Sequence, residues 1–289
     1  MNLLPSQRKG KLIAHAQHRR NSDSTKSRKL PGLASSLVPS VPVDNPALHQ
    51  GRIRTQPHVD GQFAAFVYVS VGLDKESPLR KLLSDAFRTA KATVECLQEL
   101  KGVPLKEDDK SSDGAEPALH ISLSRPVYLR AYQRDEFKSA VKQLASQYSP
   151  FDASFATFSE LSNDEKTRTF LAVEIGGGHN ELKGLSEGLT PILKPLRQKA
   201  YYSEPRFHAS FAWALLQPTQ QDGSPSNAVD TALPSAEFRA ISQFPTDLVP
   251  ELNRTYKSRL SSASVSTFTV ENIHVKIGKE ESKWRLRQI

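Results

Sequence analysis

Two short segments of this chain repeat one pattern: His120-Ile121-Ser122 and, later, His208-Ala209-Ser210. Imidazole exchanges protons near neutral pH, and two imidazoles can serve together as acid and base. A lone His-x-Ser carries little weight, because a strand histidine is usually a satisfied structural residue; the repetition is the signal. Both copies lie in windows that read as strands, ALHISLSRPVYL and FHASFAWALL. Alternate side chains of a strand share a face, so each histidine projects beside its serine, while Ile121 and Leu123, or Ala209 and Phe211, turn to the other side. Such a pair suits cleavage of a ribonucleic acid phosphodiester through the neighbouring 2′-hydroxyl. One imidazole removes the hydroxyl proton, the other protonates the departing 5′-oxygen, and neither task needs a metal. Ser122 and Ser210 could donate hydrogen bonds to the non-bridging oxygens as charge shifts onto them. No acid partner with triad-like placement accompanies either serine, so both read as clamps, not nucleophiles.

The elements that must hold these strands follow from periodicity. FAAFVYVSVG (63–72) reads as a buried strand, and residues 78–100 repeat apolar side chains at helical spacing, with Pro78 in the first turn and Cys96 packed within the helix. An acidic loop (107–116), a strand over 118–129 and a helix over 134–148 follow. Two strands, 155–163 and 167–177, meet at the turn-forming Asn163-Asp164, and Gly176 to Gly178 leads into a helix at 181–199 interrupted near Pro191 and Pro195. After the second His-x-Ser strand come an exposed loop (217–235), a helix over 236–253, and FTVENIHVKIG with KWRLRQ as a terminal hairpin. No run of regular βαβ units appears, so the class is α+β with antiparallel sheets. The two motifs occupy equivalent places in two halves, which predicts two lobes facing each other across a cleft.

Composition narrows the function classes. The 289 residues are 37% hydrophobic, enough for a core, and carry 39 Lys or Arg against 31 Asp or Glu. The first 60 residues hold ten basic side chains and three acids, which leaves 29 basic and 28 acidic ones in the rest, so the basicity describes a tail and not the body. Residues 1–50 are rich in Ser, Pro, Lys and Arg and read as disordered. The RKGK and KSRK clusters suit nuclear import; an Arg- and Ser-rich, acid-poor stretch also suits a mitochondrial presequence. A single cysteine, Cys96, excludes internal disulfides and thiolate zinc fingers. No apolar stretch approaches the roughly 20 residues of a membrane span, so no membrane association is expected.

At this point a resemblance is plain. The two His-x-Ser strands look like those of the 2H phosphoesterase superfamily, with its two-lobed, LigT-like fold. GRIRTQPHVDGQFAAFVYVSV, HISLSRPVYLR, TRTFLAVEIGGG, PRFHASFAW and HVKIG, in order over about 51–289, are similar to the eukaryotic family of phosphodiesterases that trim the 3′ end of U6 small nuclear RNA. The tail at 1–50 lies outside the likeness. The resemblance implies one domain over 51–289 of two pseudo-symmetric lobes, with two antiparallel sheets flanking a central cleft and helices outside. It implies a metal-independent 3′→5′ exoribonuclease, without cofactor, acting as a monomer on the 3′ end of single-stranded RNA in the nucleus. The enzyme would remove mainly uridines and leave a 2′,3′-cyclic phosphate that some members open. In that family His208 would be the general base, His120 the general acid, and Tyr202 an aromatic that stacks on a terminal base; Tyr201 is the alternative. Two rival functions stay in view: a cyclic phosphodiesterase of the wider superfamily, and a catalytically silent RNA-binding protein.

Other residues read as structural. Phe207, Phe211 and Trp213 fall on the face opposite His208, as core. The Gly176 to Gly178 run lacks the Lys and spacing of a nucleotide loop and reads as a turn. His179 and His274 lack a repeated partner, and Lys276 is either a solvated strand lysine or a phosphate contact.

Overall fold

The computed structural model describes residues 45–52, 59–105, 116–217 and 238–287. Residues 1–44, most of the basic tail, lie outside the described residues, as do the predicted loops at 107–115 and 218–235. Residues 45–50, the end of the expected tail, are among those described. Pro46–His49 form a 3₁₀ turn in which the Ala47 N–H donates to Asn45 Oδ1, and a Cβ on Gly51 would come within 2.6 Å of Leu215.

The elements run, in order, β1 (Gln62–Gly72), α1 (Pro78–Thr93), β2 (Gln98–Glu99), β3 (Ala118–Ser122), β4 (Val127–Arg130), α2 (Arg134–Ala145), β5 (Phe151–Ser162) and β6 (Arg168–Ile175). Then come α3 (His179–Leu193), β7 (His208–Leu216), β8 (Ala240–Ile241), α4 (Leu248–Leu260), the short α5 (Ala263–Ser266), β9 (Thr267–Val270), β10 (Asn272–Ile277) and β11 (Glu280–Arg285). In β1, Ala65, Val67, Val69 and Val71 are buried on one face, and Phe66, Tyr68 and Ser70 take the other. Ser77 caps α1 with Pro78 in its first turn, and Leu79, Leu82, Leu83, Ala86, Phe87 and Ala90 form its buried stripe.

Several expected boundaries shift, each for a local reason. Helix α1 stops at Thr93, well short of residue 100. Lys91 Nζ donates to the carbonyls of Glu95 (2.6 Å) and Leu97 (2.7 Å), and the chain turns there into β2. Cys96 therefore sits in that turn and not in the helix, half-buried against the core. The strand expected over 118–129 breaks into β3 and β4, because Pro126 has no N–H to give a ladder and Ser124 Oγ accepts from Val67 N at 3.0 Å in place of a backbone oxygen. Helix α3 ends at Leu193, before Pro195. The helix expected over 236–253 lies at Leu248–Leu260 instead, with Pro250 tolerated in its first turn. The terminal hairpin forms from β10 and β11, but residues 267–270 leave it to pair with β5.

Two antiparallel halves result, β11-β10-β1-β3 and β7-β6-β5-β9; β4 adds to β1, and β2 and the parallel β8 add to β7. Between the halves, β3 and β7 pair through Ile121 and Ala209. In the strand order β9 and β10 are six steps apart, roughly 29 Å in a flat sheet, yet only Glu271 separates them in the chain. A single residue advances the chain by about 3.8 Å. The sheet must therefore curl until the β5 edge meets the β10 end. One buried cluster backs both halves, with Val69, Ile121, Ala209 and Phe211 of the strands meeting Leu82, Leu83, Leu182 and Leu185 of the helices. The protein is thus α+β, built on antiparallel halves with helices on their apolar side. Among the described residues no helix is long and apolar enough to cross a membrane.

Candidate active site

The seam between the halves decides which side chains meet. Because Ile121 pairs with Ala209 in antiparallel sense, His120 lies across from Ser210, and Ser122 across from His208. Ile121 and Ala209 are fully buried, so the four motif side chains share the opposite face. The two histidines are diagonal neighbours on adjacent strands, whose separation is roughly 7–8 Å between backbone positions. One phosphate can bridge two imidazoles at that spacing.

Strand register extends the site into two rows. Through His208 the row reads Glu174, His208, Ser122, Tyr68 and His274, from β6 to β10. Through His120 it reads Ala172, Ser210, His120 and Ser70. Tyr68 ties the rows together, with its ring stacked on His120 at 4.2 Å between centroids and on His274 at 5.3 Å.

The two motif histidines differ in setting. A carbonyl can only accept, so His208 Nδ1 carries the proton it donates to the Arg206 oxygen at 2.6 Å, and in the neutral ring Nε2 is the basic atom. Burial lowers the His208 pKa; the bond to Arg206 and the charge of Glu174, itself paired with Arg206, oppose that shift. Burial also lowers the His120 pKa. Glu281 acts to raise it, and the charges of Lys276 and His274 to lower it further. Burial pushes Glu281 up, but the nearby Tyr68 hydroxyl, the His274 hydrogen bond and the charges of the neighbouring imidazoles hold its carboxyl below the usual range. His274 Nδ1 lies 3.1 Å from Glu281 Oε1. The Tyr68 hydroxyl is buried without a well-formed hydrogen bond and faces that carboxylate; burial and Glu281 together raise the phenol pKa.

Tyr202 lies on the loop leading into β7, 42% exposed, with the Arg125 guanidinium 3.9 Å from its ring centre. Asp164 holds both, accepting from Arg125 and from the Tyr202 hydroxyl at 2.7 Å each. Tyr201 is instead half-buried and stacks on Phe207, so Tyr202 is the more exposed of the two, with Arg125 over its ring.

Trp213 departs from expectation. The β6–β7 register slips between Leu171 and Ala172, which makes Phe211 an extra residue in β7, and the parity beyond it reverses. Trp213 is buried, but away from Phe207 and Phe211: its indole N–H donates to the Glu99 oxygen at 3.2 Å and the Arg52 guanidinium stands 5.7 Å from its ring centre. The Gly176 to Gly178 run is a turn packed on β5, since a Cβ on Gly178 would lie 2.7 Å from that of Ala153. His179 is structural, bonded to the Pro205 oxygen at 3.0 Å. His274 is not an isolated histidine, because the β1–β10 pairing brings it beside Tyr68. Sequence reasoning passed over Tyr68, Glu174, Glu281 and Arg125. Only the shared parity of Phe66, Tyr68 and Ser70 hinted at the first; the others depend on strand pairing. Among the described residues no group of three or more His, Cys, Asp or Glu is arranged to hold a metal ion.

A family model described as HVSL, uncharacterised conserved protein, matches residues 29–284. U6 snRNA phosphodiesterase 1 of Mus musculus is 30% identical over 203 residues, 68% of this chain and 69% of that protein. The Homo sapiens protein of the same name is 29% identical over 174 residues, and the match spans 60% of this chain and 59% of the human one. The solved structure of Kluyveromyces marxianus Usb1 with uridine monophosphate aligns with 77% of this chain and 98% of its own, at 17% identity and a TM-score of 0.46.

Proposed function

This chain belongs to the HVSL family and is kin to proteins named U6 snRNA phosphodiesterase 1, and on that premise we propose that it is an RNA phosphodiesterase that trims the 3′ end of U6 small nuclear RNA. The observation that carries the reading is the Ile121–Ala209 pairing, which aligns two His-Ser pairs on one face at a spacing a single phosphate bridges.

His208 is the general base. Its Nδ1 is committed to the Arg206 carbonyl, so the neutral ring offers Nε2 to the 2′-hydroxyl of the nucleotide 5′ of the scissile bond. That oxygen attacks phosphorus as its proton passes to Nε2, the bond to the leaving 5′-oxygen breaks, and His120 supplies the proton that oxygen needs. The products are a 2′,3′-cyclic phosphate on the shortened RNA and a free nucleoside. Ser122 and Ser210 bond the non-bridging oxygens as negative charge moves onto them. In a ring-opening step the roles reverse and His120 activates water. Tyr202 offers its ring to a terminal base.

A deoxy substitution tests the reading. Oligouridylate should shorten from its 3′ end, and the same oligomer with a 2′-deoxynucleotide next to the last should resist. Equal shortening of both would refute attack by the 2′-oxygen.

A further inference from the structure

The face that carries the two histidines also holds an exposed aromatic side chain on β1. Phe66 follows the parity of Tyr68 and Ser70, and it is 37% exposed between the buried Ala65 and Val67. Its openness has a cause in the topology. β1 pairs with β3 over Tyr68–Gly72 and with β4 over Gln62–Ala65, so position 66 falls where the neighbouring chain leaves the sheet. The segment that leaves carries Arg125, which stacks on Tyr202. On its other side Phe66 pairs with Lys276 of β10. Glu281, across from Lys276, bonds to His274 instead, and among the described residues Lys276 forms no ion pair. An open aromatic face beside an uncommitted ammonium, on a sheet, is the combination that binds single-stranded RNA through base stacking and phosphate attraction.

The position fits a defined part of the substrate. Phe66 is one row from Tyr68, about 7 Å along the strand, and two strands from β7, about 10 Å across. It thus lies one row beyond His208, on the side away from His120. In a chain cut at its 3′ end, the strand continues only on the 5′ side. Resting on the proposed function, we propose that Phe66 and Lys276 form a further nucleotide subsite, which stacks a base 5′ of the two nucleotides that share the scissile phosphate and draws in its phosphate.

The test is the gain in kcat/KM from UpU to a uridine pentamer, measured for the wild type, Phe66→Ala and Phe66→Trp. The wild type should favour the pentamer. Phe66→Ala should lose roughly 5–150-fold of that preference, the scale of one base–aromatic stack, and Phe66→Trp should keep it. An unaltered preference in Phe66→Ala, or a wild type indifferent to length, would overturn the subsite. A wild type that shortens neither substrate would instead overturn the function on which the subsite rests.

Discussion

Replacing the leaving oxygen by sulfur separates the two histidines. A thiolate leaves without a proton, since a thiol titrates near ~8.5, so a 5′-phosphorothiolate linkage removes the need for a general acid. The register gives His120 only Ser210 and Ser70 as row neighbours, and the one phenol against it, Tyr68, has a raised pKa. Among the described residues, Lys276 and His274 act on His120 through their charge, and neither shares its row. His120→Ala should therefore cost close to the full worth of a general acid, about 10³–10⁴ on the ordinary linkage, or ~4–5.5 kcal/mol in barrier. His208 has Glu174 across from it, a carboxylate able to take over part of a base's work, so His208→Ala should cost nearer 10². Single-turnover cleavage of a radiolabelled oligouridylate with one phosphorothiolate at its last linkage is the assay. Sulfur should restore most of the rate to His120→Ala and little to His208→Ala. Rescue of His208→Ala, or equal rescue of both, would refute the assignment.

The charges around His120 predict the pH profile of kcat/KM, whose limbs report the free enzyme. The rate rises as His208 loses its proton and falls as His120 loses its own; burial lowers both pKa values, so the optimum should lie on the acid side of about pH 6.5. Glu281 raises the His120 pKa, so Glu281→Gln should move the alkaline limb to lower pH; Lys276 lowers it, so Lys276→Gln should move that limb up. Limbs that shift in one common direction would contradict the electrostatic account. Gly178 has φ of 79°, and a Cβ there would meet the Asp152 oxygen at 2.9 Å. Gly178→Ala should cost about 2–4 kcal/mol by urea unfolding, and a neutral result would disprove the close packing of that turn on β5.

Much of this was legible in the chain because it depends on local periodicity. Alternation in FAAFVYVSVG and FHASFAWALL marks the central strands, and two copies of His-x-Ser mark the seam where they serve. Tyr68, Glu174, His274 and Glu281 could not be read the same way. Each reaches the site through which strands pair and in what register, and no spacing along one strand reveals that. The bulge at Phe211 shows the limit: a single extra residue reverses parity, and Trp213 parts from Phe207 and Phe211. Pro126 had a similar effect, splitting one apparent strand in two and opening the gap that exposes Phe66.

Mass spectrometry of the RNA that remains after incubation bears most directly on paired-imidazole transesterification. The account predicts products shortened by whole nucleotides from the 3′ end, terminated by a 2′,3′-cyclic phosphate or the 3′-phosphate of its opening, from the wild type and not from the His120→Ala, His208→Ala double variant. Products that end in a free 3′-hydroxyl, or shortening by the double variant at the wild-type rate, would contradict it.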